Sequence, residues 1–147
     1  MKQNYAMPSA IAAISGSVDY PNLSGQVLFY QQRHCVLVEV NLHGLPNNKT
    51  GFFGFHIHTG DICAGKVFSG SGSHYNPTNT THPHHAGDLP PLLSCHGGAY
   101  MTVMSGRFRV DDIIGRTVVV HDMADDFHTQ PAGNAGIKIA CGVIHKA

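Results

Sequence analysis

Charge is scarce in this chain. Asp, Glu, Lys and Arg make up 12% of its 147 residues, and nine acids against nine bases leave a formal net charge of zero. There is therefore no basic stripe to bind nucleic acid and no polybasic segment to hold an anionic membrane. Runs of about 18 apolar residues are also missing, so no membrane-spanning helix is expected. None of the four cysteines forms a Cys-x-x-Cys pair, which argues against a thiolate zinc site. Internal repeats, amphipathic-helix periodicity and any composition shift marking a domain boundary are absent too. The length fits a single domain, 1–147, able to bury roughly 68–70% of its unfolded surface.

Glycine (17) and proline (8) are plentiful, and they favour short strands joined by turns. Strand-like runs are read at Ala10–Val18, Gln26–Gln31, Cys35–Leu42, Phe52–His58, Tyr100–Met104, Thr117–His121 and Ile137–Ile144. Within Cys35–Leu42, Val36, Val38, Val40 and Leu42 share one face, and Glu39 and Asn41 the other. Seven or eight such strands predict an all-β antiparallel sandwich or flattened barrel. The apolar stretch Ala6–Ile14 contains a cleavage-like Ala10-Ile11-Ala12, but it is short, holds Pro8 and follows Lys2 alone. It is read as the lead-in to the first strand, with 1–9 as an N-terminal extension. A cytoplasmic location is favoured on that reading; an extracytoplasmic one follows if an export signal has been removed.

Histidine is the compositional outlier, with 12 residues. Seven metal-binding side chains are concentrated between Gly51 and Asp126: His56 and His58, then His74, then His82, His85 and Asp88, then His121. Histidines at i and i+2 in an apolar strand turn both rings to one face. The stretch Thr59–Pro91 has no periodicity, and a loop of that length inside one domain is normally functional or disordered. Ligation by its own histidines would order it. Enough imidazoles are present for two transition metals. His34, His43, His96, His128 and His145 are read as ordinary core or surface residues.

Five motifs then occur in order: Gly54-Phe55-His56-Ile57-His58; Gly72-Ser73-His74-Tyr75-Asn76-Pro77; His85-Ala86-Gly87-Asp88-Leu89; Gly115-Arg116-Thr117-Val118-Val119-Val120-His121; and Gly133-Asn134-Ala135-Gly136 through Ala140-Cys141-Gly142-Val143-Ile144. Together they resemble the copper/zinc superoxide dismutase family, strongly from Gly54 to Ile144 and weakly before that. The resemblance implies a Greek-key, immunoglobulin-like sandwich or flattened eight-stranded barrel with a long metal-binding loop. It also implies one copper held by His56, His58, His74 and His121, and one zinc held by His74, His82, His85 and Asp88. The His74 imidazolate would bridge the two. Four imidazoles suit Cu(II), and three imidazoles with a carboxylate suit tetrahedral Zn(II). Only Pro83 and His84 separate His82 from His85, fewer residues than the family has there. His82 is preferred over His84 by its distance from His74 and by Pro83 limiting the turn, and His84 stays open as the alternative. Asp125 matches the family aspartate that links a copper histidine to a zinc histidine. Cys63 and Cys141 match the family disulfide, Cys35 is read as a buried thiol, and Cys95 has no assigned partner.

The activity implied is disproportionation of superoxide to dioxygen and hydrogen peroxide, with His74 also carrying a proton. Two departures bear on its rate. Lys138 stands where the family places the arginine that meets the anion, keeping the charge without the planar fork. The loop Asp122–Gly136 is short and contains no Lys, Arg or Glu, so electrostatic guidance should be reduced. Two other functions compete: a non-catalytic copper/zinc-binding relative that stores or delivers metal, and an interaction domain whose histidines are incidental. Ile113-Ile114-Gly115 resembles the apolar edge used for dimerisation in the family. A homodimer is one expectation, and a monomer the other because loop lengths near Thr59–Gly65 differ from the dimeric pattern.

Overall fold

Alternation of side chains builds most of the backbone. In the computed structural model, which describes residues 7–147, Val36, Val38, Val40 and Leu42 are all fully buried on one face of a strand. Residues 1–6, which make up most of the expected extension, lie outside the described residues. Next to them, the Ser9 N–H already donates to the Phe29 carbonyl at 2.7 Å.

The strands, in chain order, are β1 (Ala10–Gly16), β2 (Ser24–Gln31), β3 (Val36–His43), β4 (Phe52–Phe53), β5 (Phe55–His58), β6 (Leu92–Leu93), β7 (Ala99–Ser105), β8 (Thr117–His121) and β9 (Lys138–Lys146). Seven of them form one curled antiparallel sheet in the order β5-β8-β9-β1-β2-β3-β7, and β4 pairs with β6 in a small second ribbon. The ribbon closes the curl, because β6 lies against β7 and only Gly54 separates β4 from β5. The chain crosses between β3 and β4 and again between β7 and β8, which makes the all-β barrel a Greek key. Phe29, Phe53, Phe55, Ile57, Leu92 and Ile139 fill its interior, each completely buried.

Four details differ from the expectations. Phe52–His58 is two strands rather than one: Gly54 turns its N–H to the Met123 carbonyl and its carbonyl to the His121 N–H, each at 2.8 Å. The first strand ends at Gly16, where the chain folds back and the Gly16 N–H meets the Leu23 carbonyl. A single helical turn, α1 (Val110–Ile113), starts where the Asp112 carboxylate accepts the Arg109 N–H. Cys35 is half-buried, its sulfur 3.8 Å from that of Met104, rather than enclosed; Cys95 is exposed.

As the outer strand of the sheet, β5 would leave a row of unpaired backbone groups. The long loop covers them. The Ile57 N–H donates to the Gly87 carbonyl at 2.9 Å, and the Ile57 carbonyl accepts from Tyr75 at 2.8 Å. Gly87 fits because a Cβ there would lie 2.2 Å from the Ile57 carbonyl oxygen. A disulfide between Cys63 and Cys141, 78 residues apart, fastens the start of this loop to β9. Closing so long a segment restricts the unfolded chain. Replacing both cysteines with alanine is expected to lower unfolding free energy by about 2–4 kcal/mol in urea titrations.

Candidate metal centre

Strands place three of the rings. β5 carries His56 and His58 on one face and pairs with β8, with His56 opposite Val119 and His58 opposite Thr117. His121 ends β8 at a register shift that sets it across from Lys138. The loop returns to the same place, through isolated bridges from His58 to His74 and from His56 to Asp88. Donor atoms of His56, His58, His74 and His121 consequently lie within 4.8 Å of one another. A second set, His74, His82, His85 and Asp88, meets the same distance. His74 belongs to both. His82 is buried and joins the second set, whereas His84 is exposed. His34, His43, His96, His128 and His145 are all exposed.

Hydrogen bonds fix which nitrogen each ring shows. Asp125 accepts from His56 Nε2 on one carboxylate oxygen and from His82 Nε2 on the other, each at 2.8 Å. Nδ1 of both rings is thereby left with its lone pair. His58 Nδ1 donates to the Gly72 carbonyl at 2.8 Å, and His121 Nδ1 more loosely to that of Gly136 at 3.4 Å. Their Nε2 atoms, both lone-pair bearing, face each other at 3.3 Å. Two lone pairs so close repel unless a cation lies between them. His56 Nδ1, His74 Nε2, His82 Nδ1 and His85 Nδ1 are buried without a hydrogen-bond partner. Native proteins leave few polar atoms in that condition, and an ion is a standard reason for it. His74 Nδ1 lies 2.8 Å from one oxygen of Asp88, whose other oxygen is 3.1 Å from His82 Nδ1 and 3.2 Å from His85 Nδ1. The donors present therefore fit two cations.

Electrostatics points the same way. Burial pushes His56 down to about 4, only partly offset by Asp125. It pushes His121 to about 3 and His58 well below its usual value, and neighbouring imidazoles depress both further. These rings are neutral at pH 7 and offer lone pairs without first losing a proton. Burial tends to raise the carboxylate of Asp88, but the hydrogen bond from His74 and the surrounding imidazoles hold it below the usual range. Asp125 is lowered too, where hydrogen bonds from His56, His82 and the Phe127 N–H outweigh its burial.

A cavity of about 500 Å³ opens over the first set, lined by His58, His74, His121, Lys138, Val67 and Ile137 among others. The Lys138 ammonium donates to Ser71 Oγ and to the Gly72 carbonyl, each at 2.8 Å, so it stands beside the first set but turned toward the loop. Its pKa is lowered by burial. Two contributors had no role assigned from the sequence: Gly133, inside a motif, and Gln130, outside all of them. Gly133 has positive φ, and a Cβ there would sit 2.1 Å from Asp125 Oδ1 and 2.6 Å from His82 Nε2. Gln130 grips the main chain of His82.

Comparison with known proteins bears on the family. The family model for copper/zinc superoxide dismutase matches residues 23–144. Superoxide dismutase [Cu-Zn] 4 of Dictyostelium discoideum is 33% identical, the alignment covering 95% of this chain and 99% of that protein. The extracellular superoxide dismutase [Cu-Zn] of Drosophila melanogaster is 39% identical over 97% of this chain and 88% of its own length. A superoxide dismutase [Cu-Zn] of Neurospora crassa is 34% identical over 94% and 97% respectively.

Depressed histidines make the metal-free fold sensitive to acid. Below pH 6.5 the unfolded chain takes up protons on these rings, while the folded chain does not until about pH 4 at His56 and about pH 3 at His121. Their stabilisation is complete above pH 6.5 and is lost as pH falls through that window. Urea titrations of metal-free protein should show stability declining steadily from pH 6.5 toward pH 4, beyond the decline in a His56→Gln variant.

Proposed function

This chain belongs to the copper/zinc superoxide dismutase family, and from that premise we propose that it converts two superoxide anions and two protons to dioxygen and hydrogen peroxide. What carries the proposal is the set of buried, partnerless nitrogens in two groups that share His74. His56 through Nδ1, and His58, His74 and His121 through Nε2, would hold copper. His74, His82 and His85 through Nδ1, with the Asp88 carboxylate, would hold zinc. Three imidazoles and one carboxylate with no further donor make a closed tetrahedral set, whereas the first group opens on a cavity. When bound, copper supplies one-electron exchange with superoxide and zinc a fixed positive charge beside the shared ring.

Each side chain then has a definite task. Asp125, Gly72 and Gly136 hold the nitrogens of His56, His82, His58 and His121 that face away from the ions, so the rings do not turn between cycles. His74 Nε2 is the one shared-ring atom that can accept a proton on the cavity side. A proton held there is within reach of an anion in the cavity, and its delivery completes hydrogen peroxide. His74 Nδ1 faces the second set beside Asp88, and its place in that set would keep the ring oriented while Nε2 gains and loses that proton.

Lys138 supplies the positive charge at the cavity wall. An ammonium attracts an anion but lacks the two parallel donors of a guanidinium. Its ammonium already donates to Ser71 Oγ and the Gly72 carbonyl and, more loosely at 3.4 Å, to the Phe68 carbonyl, so anion docking is weaker than with a free fork. The neighbouring walls, Val67, Pro131, Ala132 and Ile137, bring no charge. Turnover is therefore expected below the diffusional ceiling.

Protein reconstituted with one copper and one zinc should accelerate superoxide decay. A rate no greater than that of copper bound to the unfolded chain would sink the assignment, and uptake of fewer than two metals per chain would sink the paired site. Lys138→Ala should lower kcat/KM about tenfold and flatten its dependence on ionic strength, while Lys138→Arg should raise it.

A further inference from the structure

The segment His82-Pro83-His84-His85 carries two of the four donors of the second set, and the rings of His82 and His85 are buried. A cavity of about 420 Å³, lined by Pro83, Asp88, Leu89, Arg107, Asp125 and Phe127 among others, adjoins it. Packing fixes the buried rings, while Pro83 between them borders the open space, so the main chain there depends on its hydrogen bonds. Within the segment, the bonds are short-range: His84 N–H to the Thr81 carbonyl at 2.7 Å, and His85 N–H to an Asp88 oxygen at 3.0 Å.

Two side chains from distant parts of the chain supply the rest. Gln130, in the loop before β9, accepts the His82 N–H on Oε1 at 2.9 Å and donates from Nε2 to the His82 carbonyl at 2.8 Å. Its amide therefore reads both polar groups of one residue, and the opposite amide orientation would set donor against donor and acceptor against acceptor. The Nε2 group also reaches the His128 carbonyl at 3.1 Å. Arg107, in the loop after β7, donates from Nη1 to the Pro83 carbonyl at 2.7 Å and to that of His85 at 3.2 Å. Of the four accepting carbonyls, three belong to the segment and the fourth, that of His128, to the loop that holds Gln130.

We propose that Gln130 and Arg107 are positioning residues that clamp the main chain of His82–His85, Gln130 at His82 and Arg107 at Pro83 and His85, and so preset the Nδ1 atoms of His82 and His85 for zinc. The clamp rests on the zinc assignment made above. Only two residues separate these ligands, so any drift of the main chain passes directly to both imidazoles. Neither clamp residue touches the ion; each acts through a backbone carbonyl or amide.

Cobalt(II) in the second set, with copper in the first, gives a test independent of activity. Three variants are compared with wild type: Arg107→Ala, Arg107→Lys and Gln130→Glu. Gln130→Glu keeps size and the acceptor for the His82 N–H but puts a carboxylate oxygen against the His82 carbonyl. Val27→Ala, at a fully buried barrel position on β2, serves as a comparator for general loss of stability. Arg107→Ala and Gln130→Glu should lose zinc to a chelator about 10- to 100-fold faster than wild type and alter the tetrahedral cobalt absorption. Arg107→Lys should recover part of both effects, and Val27→Ala should lower thermal stability while leaving the cobalt spectrum unchanged. Wild-type spectra and zinc retention in Arg107→Ala and Gln130→Glu would overturn the clamp alone, as would equal effects in Val27→Ala. Failure of wild type to bind cobalt tetrahedrally would overturn the zinc assignment and the clamp with it.

Discussion

Asp125 accepts one hydrogen bond from His56 Nε2 and one from His82 Nε2, and the chemistry of both metal sets depends on that pair of contacts. An imidazole has two nitrogens and, when neutral, one proton; holding the proton at Nε2 leaves the lone pair at Nδ1. One carboxylate thus chooses the donor atom of a ring on β5 and of a ring in the long loop at once. The cost of burying its charge is offset by three hydrogen bonds, the third from the Phe127 N–H at 2.7 Å. Gly133 leaves the space in which this contact forms. The loop between β8 and β9 consequently belongs to the centre even though it contributes no ligand.

The two sets differ in what carries them. His56, His58 and His121 sit on paired strands, where the ladder holds backbone position closely. His74, His82, His85 and Asp88 come from the loop, which is anchored to β5 through Ile57 and to β9 through the disulfide. Sharing His74 couples the rigid set to the adaptable one: its ring stacks on His56 with centroids 3.9 Å apart, while its Nδ1 faces Asp88. A displacement of the loop would shift the shared ring relative to the strand histidines. Side chains that hold loop carbonyls would act on the first set only through this shared ring.

Local pattern made the strands legible, and with them the first histidine set. Thr117–His121 has the bounds read from its β-branched run, and β3 buries the four residues its alternation assigned inward. Motif order carried the family. Shorter or longer-range features escaped. β6 has two residues, Leu92 and Leu93, too few to show a period, and it pairs with a strand equally short. The break at Gly54 answers to Met123 and His121, both far along the chain. His82 could be ranked above His84 by spacing, but only folding shows one buried and the other in solvent. Gln130 lies 48 residues from His82, and Arg107 22 from His85; neither belongs to any motif. The positive charge of Lys138 was legible, but its attachment to Ser71 and Gly72 was not.

Burial joins metal affinity to folding. Desolvation keeps His56, His58 and His121 neutral, so a cation binding there displaces few protons near pH 7. The same desolvation strips water from lone pairs that then have no protein partner, a penalty the folded chain carries until an ion arrives. An ion that binds the folded chain alone adds stability that grows with the logarithm of its concentration over Kd, about 4 kcal/mol at a thousandfold excess. Neutral, partnerless rings are therefore a compromise. They weaken the metal-free barrel in the region where β5, β8 and the long loop meet, and they make the metal-bound one both stable and ready for electron exchange. The disulfide and the loop's bonds to Ile57 limit how far that region can open before metal is bound.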